Sequence, residues 1–267
     1  MWGDQGQAGT GRTTEEGEAV MRNDFEGRAA LVTGAGSGIG EACAVMLAER
    51  GARVLVADID PAAGERVAGA IGQAATPFTV DVSDPDQCAA MVAAAVDTFG
   101  RLDVAVNNAG IAGPSAPVGE YPLDGWREVI AVHLDGSFYC CRAEIAVMKE
   151  AGAGAIVNMA SILGSVGFQN APAYIAAKHG IVGLTRAAAL DHAADGLRVN
   201  SVGPGFIQTP LLDNAPEEVV AGVAALHPLA RLGTANEVAE LVCFLASDAA
   251  SNMTGGYYLT DGGYTAR

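Results

Sequence analysis

Short β-branched and aliphatic runs alternate with longer amphipathic stretches along almost the whole chain. The runs suit buried strands, and the stretches repeat apolar residues near a 3.6-residue period, as helices do. Because parallel strands need crossover connections, this alternation predicts an α/β fold, a doubly wound parallel sheet with helices on both faces. Seven strands are predicted at 29–33, 53–58, 76–80, 104–107, 155–159, 198–202 and 257–259. Helices are predicted at 39–50, 62–70, 85–99, 126–150, 173–194 and 236–245.

One hydrophobic core can organise a chain of 267 residues, half of them apolar, and no second block of composition appears. Residues 25–267 are therefore predicted to form a single domain. Residues 1–24 are rich in Gly, Thr, Glu and Gln and hold few apolar side chains. Such a segment cannot bury enough surface to offset the entropy of ordering, so a disordered arm is predicted there.

The formal net charge of -16 would repel the phosphates of nucleic acid and the anionic surface of a membrane. Small-molecule chemistry is the better expectation. No apolar run is long enough to span a bilayer, and no secretory signal pattern is seen. The five cysteines form no CxxC pair, and the four histidines lack an accompanying acidic cluster. Neither a disulfide framework nor a metal site is expected, and the predicted location is cytoplasmic.

A glycine-rich segment, TGAGSGIG at 33–40, follows the first strand and opens the first helix. Gly34 permits a tight turn, Gly38 allows backbone to approach a pyrophosphate, and Gly40 allows the helix to pack closely on the sheet. The helix N-terminus supplies free N–H groups and a positive dipole end, so a dinucleotide site is predicted here. A phosphate loop for nucleoside triphosphates fits worse, because Glu41 follows where a lysine is needed. The alternative is a turn that serves strand-to-helix geometry alone.

The second strand ends at Asp58, whose carboxylate is placed to accept both adenosine-ribose hydroxyls. A 2′-phosphate would meet like charge there, and Asp60 adds more. No Arg or Lys stands in the glycine turn or directly after Asp58. NAD is therefore favoured over NADP as the cofactor. The alternative for Asp58 is an ordinary solvated residue at a strand end.

Tyr174 and Lys178 stand four apart on a predicted helix, so their side chains share one face. A free tyrosine has a pKa of about 10, and a nearby ammonium favours its phenolate, so Lys178 is expected to lower the pKa of Tyr174. Ser161 follows a predicted strand at its carboxyl end, where doubly wound sheets bind ligands. A hydroxyl there can hold a substrate oxygen. A Tyr-xxx-Lys pair alone would more often mark a surface helix face.

Together these residues resemble the short-chain dehydrogenases/reductases of the single-domain type, from residue 27 onward. The matching segments are the TGxxxGxG turn, Asp58, Asp81-Val82, NNAG at 107–110, Ser161, the YxxxK pair and PGFIQT at 204–209.

The resemblance implies a Rossmann fold, hydride transfer between nicotinamide and a secondary alcohol or ketone, and a homotetramer. It implies that Tyr174 is the acid/base, that Ser161 and Lys178 assist it, and that Lys178 also binds the nicotinamide ribose. Asp81 and Val82 would contact adenine, and Ile207 and Thr209 the carboxamide. The full set of implied cofactor contacts is Gly34, Ser37, Gly38, Ile39, Gly40, Asp58, Ile59, Asp81, Val82, Asn108, Ala109, Gly110, Tyr174, Lys178, Pro204, Gly205, Ile207 and Thr209.

His133 marks the one departure from the family pattern. The family commonly has Asn in a VNLxG segment as a fourth catalytic residue, whereas this chain reads VHLDG. The family residue acts largely through its backbone carbonyl, which His133 also has, so activity is expected with an altered proton relay or pH dependence. The alternative is a histidine satisfied in the packing without a proton role.

Substrate choice is expected to depend on three segments, 111–119, 162–170 and a lid over 206–227. Their apolar side chains favour a cyclic or otherwise hydrophobic alcohol; these are Leu163, Phe168, Phe206, Leu211 and Leu212. Two other functions stay open. One is a dinucleotide-binding regulator without catalysis, against which Ser161, Tyr174 and Lys178 count. The other is a nucleotide-sugar epimerase or dehydratase, for whose substrate domain the C-terminal portion leaves little room.

Overall fold

Seven parallel strands form the central sheet of the computed structural model, which describes residues 23–209 and 217–266. In chain order they are β1 (Ala29–Thr33), β2 (Arg53–Asp58), β3 (Ala75–Thr79), β4 (Val104–Asn107), β5 (Gly154–Met159), β6 (Leu197–Pro204) and β9 (Tyr257–Thr260). Two short strands, β7 (Ile207–Gln208) and β8 (Gly233–Thr234), pair separately. The helices are α1 (Gly38–Glu49), α2 (Pro61–Ile71), α3 (Pro85–Phe99), α4 (Leu123–Ile130), α5 (Gly136–Ala151), α6 (Pro172–His192), α7 (Glu217–Ala225) and α8 (Ala235–Ala246).

The side chains of β1 show how the core is divided by the sheet. Ala30 and Val32 belong to a buried cluster with α1, α2 and α8, while Ala29 and Leu31 face a second cluster with α3, α5 and α6. Successive side chains of a strand point to opposite faces, so a strand covered on both sides is apolar throughout. This explains why the strands of this chain read as continuous aliphatic runs, and it confirms the predicted doubly wound α/β fold.

The order of the strands across the sheet is β3-β2-β1-β4-β5-β6-β9. β1 therefore pairs with β2 on one side and β4 on the other, and the chain winds away from it in both directions. Crossovers on the two sides of such a switch point leave a crevice at the carboxyl ends of the strands. The glycine turn after β1 and the NNAG segment after β4 meet at this crevice.

The middle helix of the chain differs from the prediction. The helix predicted at 126–150 begins earlier, at Leu123, and is interrupted by a π turn at Ala131–Asp135. The Ser137 hydroxyl donates to the carbonyl of His133 at 2.6 Å and so competes with the backbone hydrogen bonds of the helix. The period of apolar residues in the sequence does not indicate such a bond. The predicted lid segment, 206–227, contains β7 and α7, while 210–216 lie outside the described residues. So does the predicted disordered arm, apart from Asn23 and Asp24.

A buried polar cluster links the ends of β4 and β5. Asn107 and Asn158 are paired in register, and the Asn107 Nδ2 donates to Asn158 Oδ1 and to Glu144 Oε2, both at 3.0 Å. The Asn158 Nδ2 in turn donates to Thr185 Oγ1 at 3.0 Å. Glu144 is fully buried, and its Oε1 has no partner among the described residues. Because burial disfavours the carboxylate, the pKa of Glu144 is raised to about 7.

Replacing Glu144 with Gln should remove a pH dependence from the stability of the fold. A pKa raised from 4.5 in the unfolded chain to about 7 means that the folded state holds this proton more tightly. The contribution of this group to the free energy of unfolding should therefore be greatest below about pH 4.5, fall as pH rises, and level off above about pH 7, with a loss on the order of 3 kcal/mol. Glu144→Gln, isosteric with the protonated acid, should abolish this loss in urea unfolding curves. Glu150→Gln, an exposed change on the same helix, should preserve it; identical pH profiles for the wild type and Glu144→Gln would contradict the assignment.

Candidate active site

The turn between β1 and α1 has no room for side chains at its glycines. A Cβ on Gly40 would lie 2.1 Å from the carbonyl oxygen of Gly34, and one on Gly34 would lie 2.9 Å from Ala109 Cα. Gly34 and Gly38 also have positive φ, 61° and 56°. Ser37 occupies the N-cap of α1, yet its hydroxyl makes no capping bond. The backbone N–H groups at the start of α1 and the Ser37 hydroxyl are donors of the kind that bind a pyrophosphate.

Backbone amides hold the Asp58 carboxylate at the end of β2. Gly36 N donates to Asp58 Oδ2 at 2.7 Å, and Asp60 N donates to Oδ1 at 2.9 Å. Each oxygen keeps a second lone pair for a hydroxyl donor. The neighbouring Ile59 is 66% exposed and offers apolar surface beside the carboxylate.

The Asp81-Val82 pair follows β3 at the same edge of the sheet. Asp81 Oδ1 accepts from the backbone and the hydroxyl of Ser83, at 2.9 and 2.7 Å. The Val82 side chain is buried against Gly136 of α5. The predicted adenine contacts thus lie in an ordered turn, with the Val82 side chain in the core.

Thr33, which the sequence analysis did not assign to the site, ties the NNAG segment to the glycine turn. Its Oγ1 accepts from the backbone amides of Asn108 and Ala109, at 3.0 and 3.1 Å. The Asn108 Nδ2 donates back to the carbonyls of Thr33 and Gly34. The sequence did contain a signal for this role, because Thr33 places a hydroxyl at the last position of a strand that leads into the glycine turn.

Ser161, Tyr174 and Lys178 come together where β5 ends and α6 passes over it. The Ser161 side chain is close enough to the Tyr174 hydroxyl to lower its pKa, and the Lys178 Nζ lies 5.4 Å from the centre of the Tyr174 ring. Lys178 is almost fully buried, and its ammonium donates to the carbonyl of Met159 at 2.7 Å. Tyr257 of β9, missed in the sequence, supports this corner by donating its hydroxyl to the carbonyl of Ser161.

Burial dominates the acidity of both groups in this corner. It raises the pKa of Tyr174, which the Ser161 hydrogen bond lowers in part, and it lowers the pKa of Lys178 to about 7. The net shift is therefore upward, opposite to the lowering expected from Lys178, because desolvation of the buried phenol is its largest cause. Both groups are shifted toward their neutral forms.

His133 lies in the π turn and packs edge-on against Tyr174, with 5.1 Å between ring centres and an interplanar angle of 80°. Its Nε2 lies 2.7 Å from the Ile111 carbonyl and 3.0 Å from the Ile111 amide. One nitrogen cannot both donate and accept, and two lone pairs would repel at 2.7 Å, so Nε2–H donates to the carbonyl. The buried Nδ1 then carries a lone pair, without a partner among the described residues.

The pKa of His133 is lowered to about 3, first by burial and then by the Lys178 ammonium, so the imidazole is neutral near pH 7. A pH dependence arising from His133 itself is therefore not expected. The His133 ring also leaves no room for a side chain at position 110, because a Cβ added to Gly110 would lie 2.4 Å from the His133 Cε1.

The end of β6 and the segment after it lie at the same edge of the sheet. Pro204 and Ile207 are buried, while Gly205 is close to the His227 imidazole and Thr209 is half-buried. His227, which the sequence analysis left out, accepts from Phe206 N with Nε2, so its Nδ1–H donates to the Val223 carbonyl of α7. Rings stack edge-on or tilted here; the cluster contains Phe168, Phe206, His227 and Tyr264.

Other kinds of site find no support in the described parts of the chain. No group of three His, Cys, Asp or Glu side chains there is placed to hold a metal ion. The five cysteines are free and buried. Within residues 23–209 and 217–266, no helix combines the length and apolarity that crossing a membrane requires.

A family model described as enoyl-(acyl carrier protein) reductase matches residues 34–265, from the glycine turn to beyond β9. The chain belongs to the short-chain dehydrogenase/reductase family. Its relatives include cyclohexanol dehydrogenase of Acinetobacter sp. strain SE19, 47% identical over 253 residues that cover 94% of this chain and 100% of the relative. Cis-4-hydroxycyclohexanecarboxylate dehydrogenase of Sinomonas cyclohexanicum is 49% identical over 249 residues, covering 92% and 100%.

The crystal structure of levodione reductase superposes with a TM-score of 0.88 at 36% identity, over 91% of this chain and 99% of that one. The relatives are dehydrogenases and reductases that match over their full length. The protein is therefore an oxidoreductase of the short-chain type, a family that uses nicotinamide cofactors. The sequence-based assignment to this family is confirmed.

Proposed function

We propose that this short-chain oxidoreductase oxidises secondary alcohols on six-membered carbocycles to ketones, with NAD as the hydride acceptor. The observation that carries the proposal is the meeting of Ser161, Tyr174 and Lys178 at the carboxyl edge of the sheet, beside the glycine turn. An acid/base hydroxyl, a second hydroxyl and an ammonium next to a dinucleotide cradle supply what removal of a proton and a hydride from a carbinol requires.

In this mechanism Tyr174 removes the hydroxyl proton while the carbon–hydrogen bond of the carbinol breaks. The Ser161 hydroxyl donates to the same oxygen, which stabilises it as it becomes a carbonyl. Nicotinamide, when bound, takes up the hydride. Lys178, held by Met159, adds positive charge near the phenol and so favours the phenolate over the neutral form that burial imposes. In the reverse direction Tyr174 returns the proton to the ketone oxygen.

His133 acts as a neutral neighbour in this proposal. Its ring fixes the orientation of Tyr174 from one side and holds the backbone of Ile111 from the other. The fourth catalytic role that the family resemblance implied for this position would then fall to the backbone carbonyl of His133, as the sequence predicts.

The cofactor would lie across the switch point, with its pyrophosphate on the N-terminus of α1 and its adenosine ribose on Asp58. The geometry supports this placement because the cradle admits no Cβ and the Asp58 carboxylate is held in place by backbone amides. The pyrophosphate contacts would come from Gly34, Ser37, Gly38, Ile39 and Gly40. The adenosine contacts would come from Asp58, Ile59, Asp81 and Val82. The nicotinamide half would be held by Asn108, Ala109, Gly110, Tyr174, Lys178, Pro204, Gly205, Ile207 and Thr209.

The substrate class is supported by the relatives and by the aromatic cluster. Cyclohexanol dehydrogenase and cis-4-hydroxycyclohexanecarboxylate dehydrogenase both carry a six-membered ring in their names. In this chain Phe206 directly precedes Ile207, one of the predicted carboxamide contacts, and its ring meets those of Phe168 and Tyr264. A rigid aromatic wall at this place suits an apolar ring more than a charged or extended substrate.

A screen of secondary alcohols with NAD and NADP in parallel, followed by absorbance of the reduced cofactor, tests the proposal. We expect cyclohexanol to be oxidised with NAD at a kcat/KM about tenfold above that of 2-hexanol, since a preformed wall costs a rigid ring less ordering entropy. Phe206→Ala should narrow this margin, whereas Phe244→Ala, a surface change on α8, should keep it. Cofactor binding without turnover of any alcohol would instead favour a regulatory protein.

Location and assembly are expectations that extend the proposal. We propose a cytoplasmic homotetramer that acts on a small-molecule alcohol or ketone. Exposed Trp126 and Phe138 on the middle helices and Leu190 on α6 provide apolar surface for contacts between subunits.

A further inference from the structure

An arginine from α2 reaches the glycine turn, which contains no basic residue of its own. The Arg66 Nη2 donates to the carbonyl of Gly36 at 2.7 Å. The amide of the same Gly36 donates to the Asp58 carboxylate at 2.7 Å. Gly36 therefore links the two groups: its carbonyl accepts from the Arg66 guanidinium, and its amide donates to the Asp58 carboxylate, which would bind the adenosine ribose.

The Glu41 carboxylate of α1 accepts hydrogen bonds from both terminal nitrogens of this guanidinium. Arg66 Nη1 and Nη2 donate to Glu41 Oε1 and Oε2 at 2.9 and 2.8 Å, a paired geometry that matches the donors to two oxygens. The Arg66 side chain is still 56% exposed, so it can reach a ligand once released. A phosphate would engage the same donors in the same paired way, and Glu41 thus competes directly with it.

We infer that Glu41 is a determinant of cofactor specificity, which selects NAD over NADP by withholding Arg66 from a 2′-phosphate. This inference rests on the proposed cofactor position and adds a second residue to Asp58. Three carboxylates lie at this end of the crevice against one guanidinium: Glu41 pairs with Arg66, Asp58 accepts from Gly36, and Asp60 follows Asp58 closely in the chain. The local charge is therefore negative while the pair is intact. Removing the Glu41 charge reduces the repulsion and frees the only cation bonded to the turn in the described residues.

The test uses Asp58→Asn as the background, so that Asp58 no longer masks the effect. To it are added Glu41→Gln, then Glu41→Gln with Arg66→Gln, and separately Asp124→Asn. The last change removes a carboxylate of equal charge from an exposed Asp124–Arg127 pair on α4. Titration calorimetry with NADP, NAD and adenosine 2′,5′-bisphosphate gives dissociation constants that need no turnover, and kcat/KM is measured alongside.

We expect Asp58→Asn with Glu41→Gln to bind NADP and adenosine 2′,5′-bisphosphate about tenfold more tightly than Asp58→Asn alone, as gained charge-assisted hydrogen bonds allow. Arg66→Gln should cancel the gain, and Asp124→Asn should produce none. The gain should shrink at high salt. A gain that survives Arg66→Gln, or that Asp124→Asn reproduces, would overturn the inference and leave only a net-charge effect.

The behaviour of NAD separates failure of this inference from failure of the proposed function. If Asp58→Asn weakens NAD binding but Glu41→Gln adds nothing for NADP, the role of Glu41 is refuted and the cofactor position stands. If Asp58→Asn leaves NAD binding unchanged, the proposed ribose site is wrong, and the inference drawn from it falls as well.

Discussion

Tyr174→Phe should lower kcat for alcohol oxidation by about 10³-fold or more while the dissociation constant of NAD changes little. The substitution removes one oxygen atom, and with it the only group proposed to take the substrate proton, a role typically worth 10²- to 10⁴-fold in rate. The phenyl ring retains its edge contact with His133, so the shape of the crevice should be preserved. Steady-state kinetics with the best alcohol from the screen, and calorimetry with NAD, provide the two measurements.

Tyr139→Phe on α5 is the matched control for this change, since it removes a phenolic oxygen on another helix, where the Tyr139 ring contacts Phe138. It should leave kcat unchanged. Substantial turnover by Tyr174→Phe would show that the base has been misassigned, and Tyr257, which bonds to the Ser161 carbonyl, would be the next residue to change. If Tyr174→Phe lost both NAD binding and turnover, the main role of Tyr174 would be to maintain the fold or to bind the cofactor, and not to transfer the proton.

Gly40→Ala should weaken NAD binding by about 100-fold or more and destabilise the fold by roughly 3 kcal/mol. The added methyl group would lie 2.1 Å from the Gly34 carbonyl and 2.5 Å from the Asn108 Nδ2. The first contact is with backbone that the glycine turn fixes, so the helix must move away from the sheet. That movement displaces the N–H groups proposed to hold the pyrophosphate.

Gly69→Ala is the control for Gly40→Ala. Gly69 is an exposed residue of α2, and a Cβ there would meet nothing within 4 Å. Because alanine favours helices over glycine, this change should raise the free energy of unfolding by about 0.5–1 kcal/mol and leave NAD binding intact. Urea unfolding and NAD calorimetry on both variants complete the comparison. Wild-type stability and affinity in Gly40→Ala would refute the close packing at the turn.

The glycine turn illustrates how much of the site can be predicted from sequence. Its glycines are required by local backbone geometry, and they follow a strand and begin a helix within a few residues, so position along the chain carries the information. The same holds for Tyr174 and Lys178, whose spacing on one helix places them on a shared face. The seven strands were predicted because burial on both faces of a parallel sheet makes each an unbroken aliphatic run.

Arg66, Tyr257 and His227 show what sequence could not provide. Each belongs to an element distant in sequence from the group it contacts: Arg66 from Gly36, Tyr257 from Ser161, and His227 from Phe206. No periodicity records which helix or loop folds back over which strand end. The π turn at His133 was missed for a related reason, since one inserted residue is stabilised by side-chain contacts that a repeating pattern does not contain.

The sequence by itself determined the class of fold, the glycine turn between β1 and α1, and the candidate set of Ser161, Tyr174 and Lys178. These depend on local backbone preference and on the period of burial, both of which are written along the chain. Only the tertiary structure decided the acidity of the site and the partners of its charges. Burial raises the pKa of Tyr174 and lowers that of Lys178. Glu41 forms an ion pair with Arg66. Desolvation and ion pairing both depend on distances between elements that come together only when the chain folds.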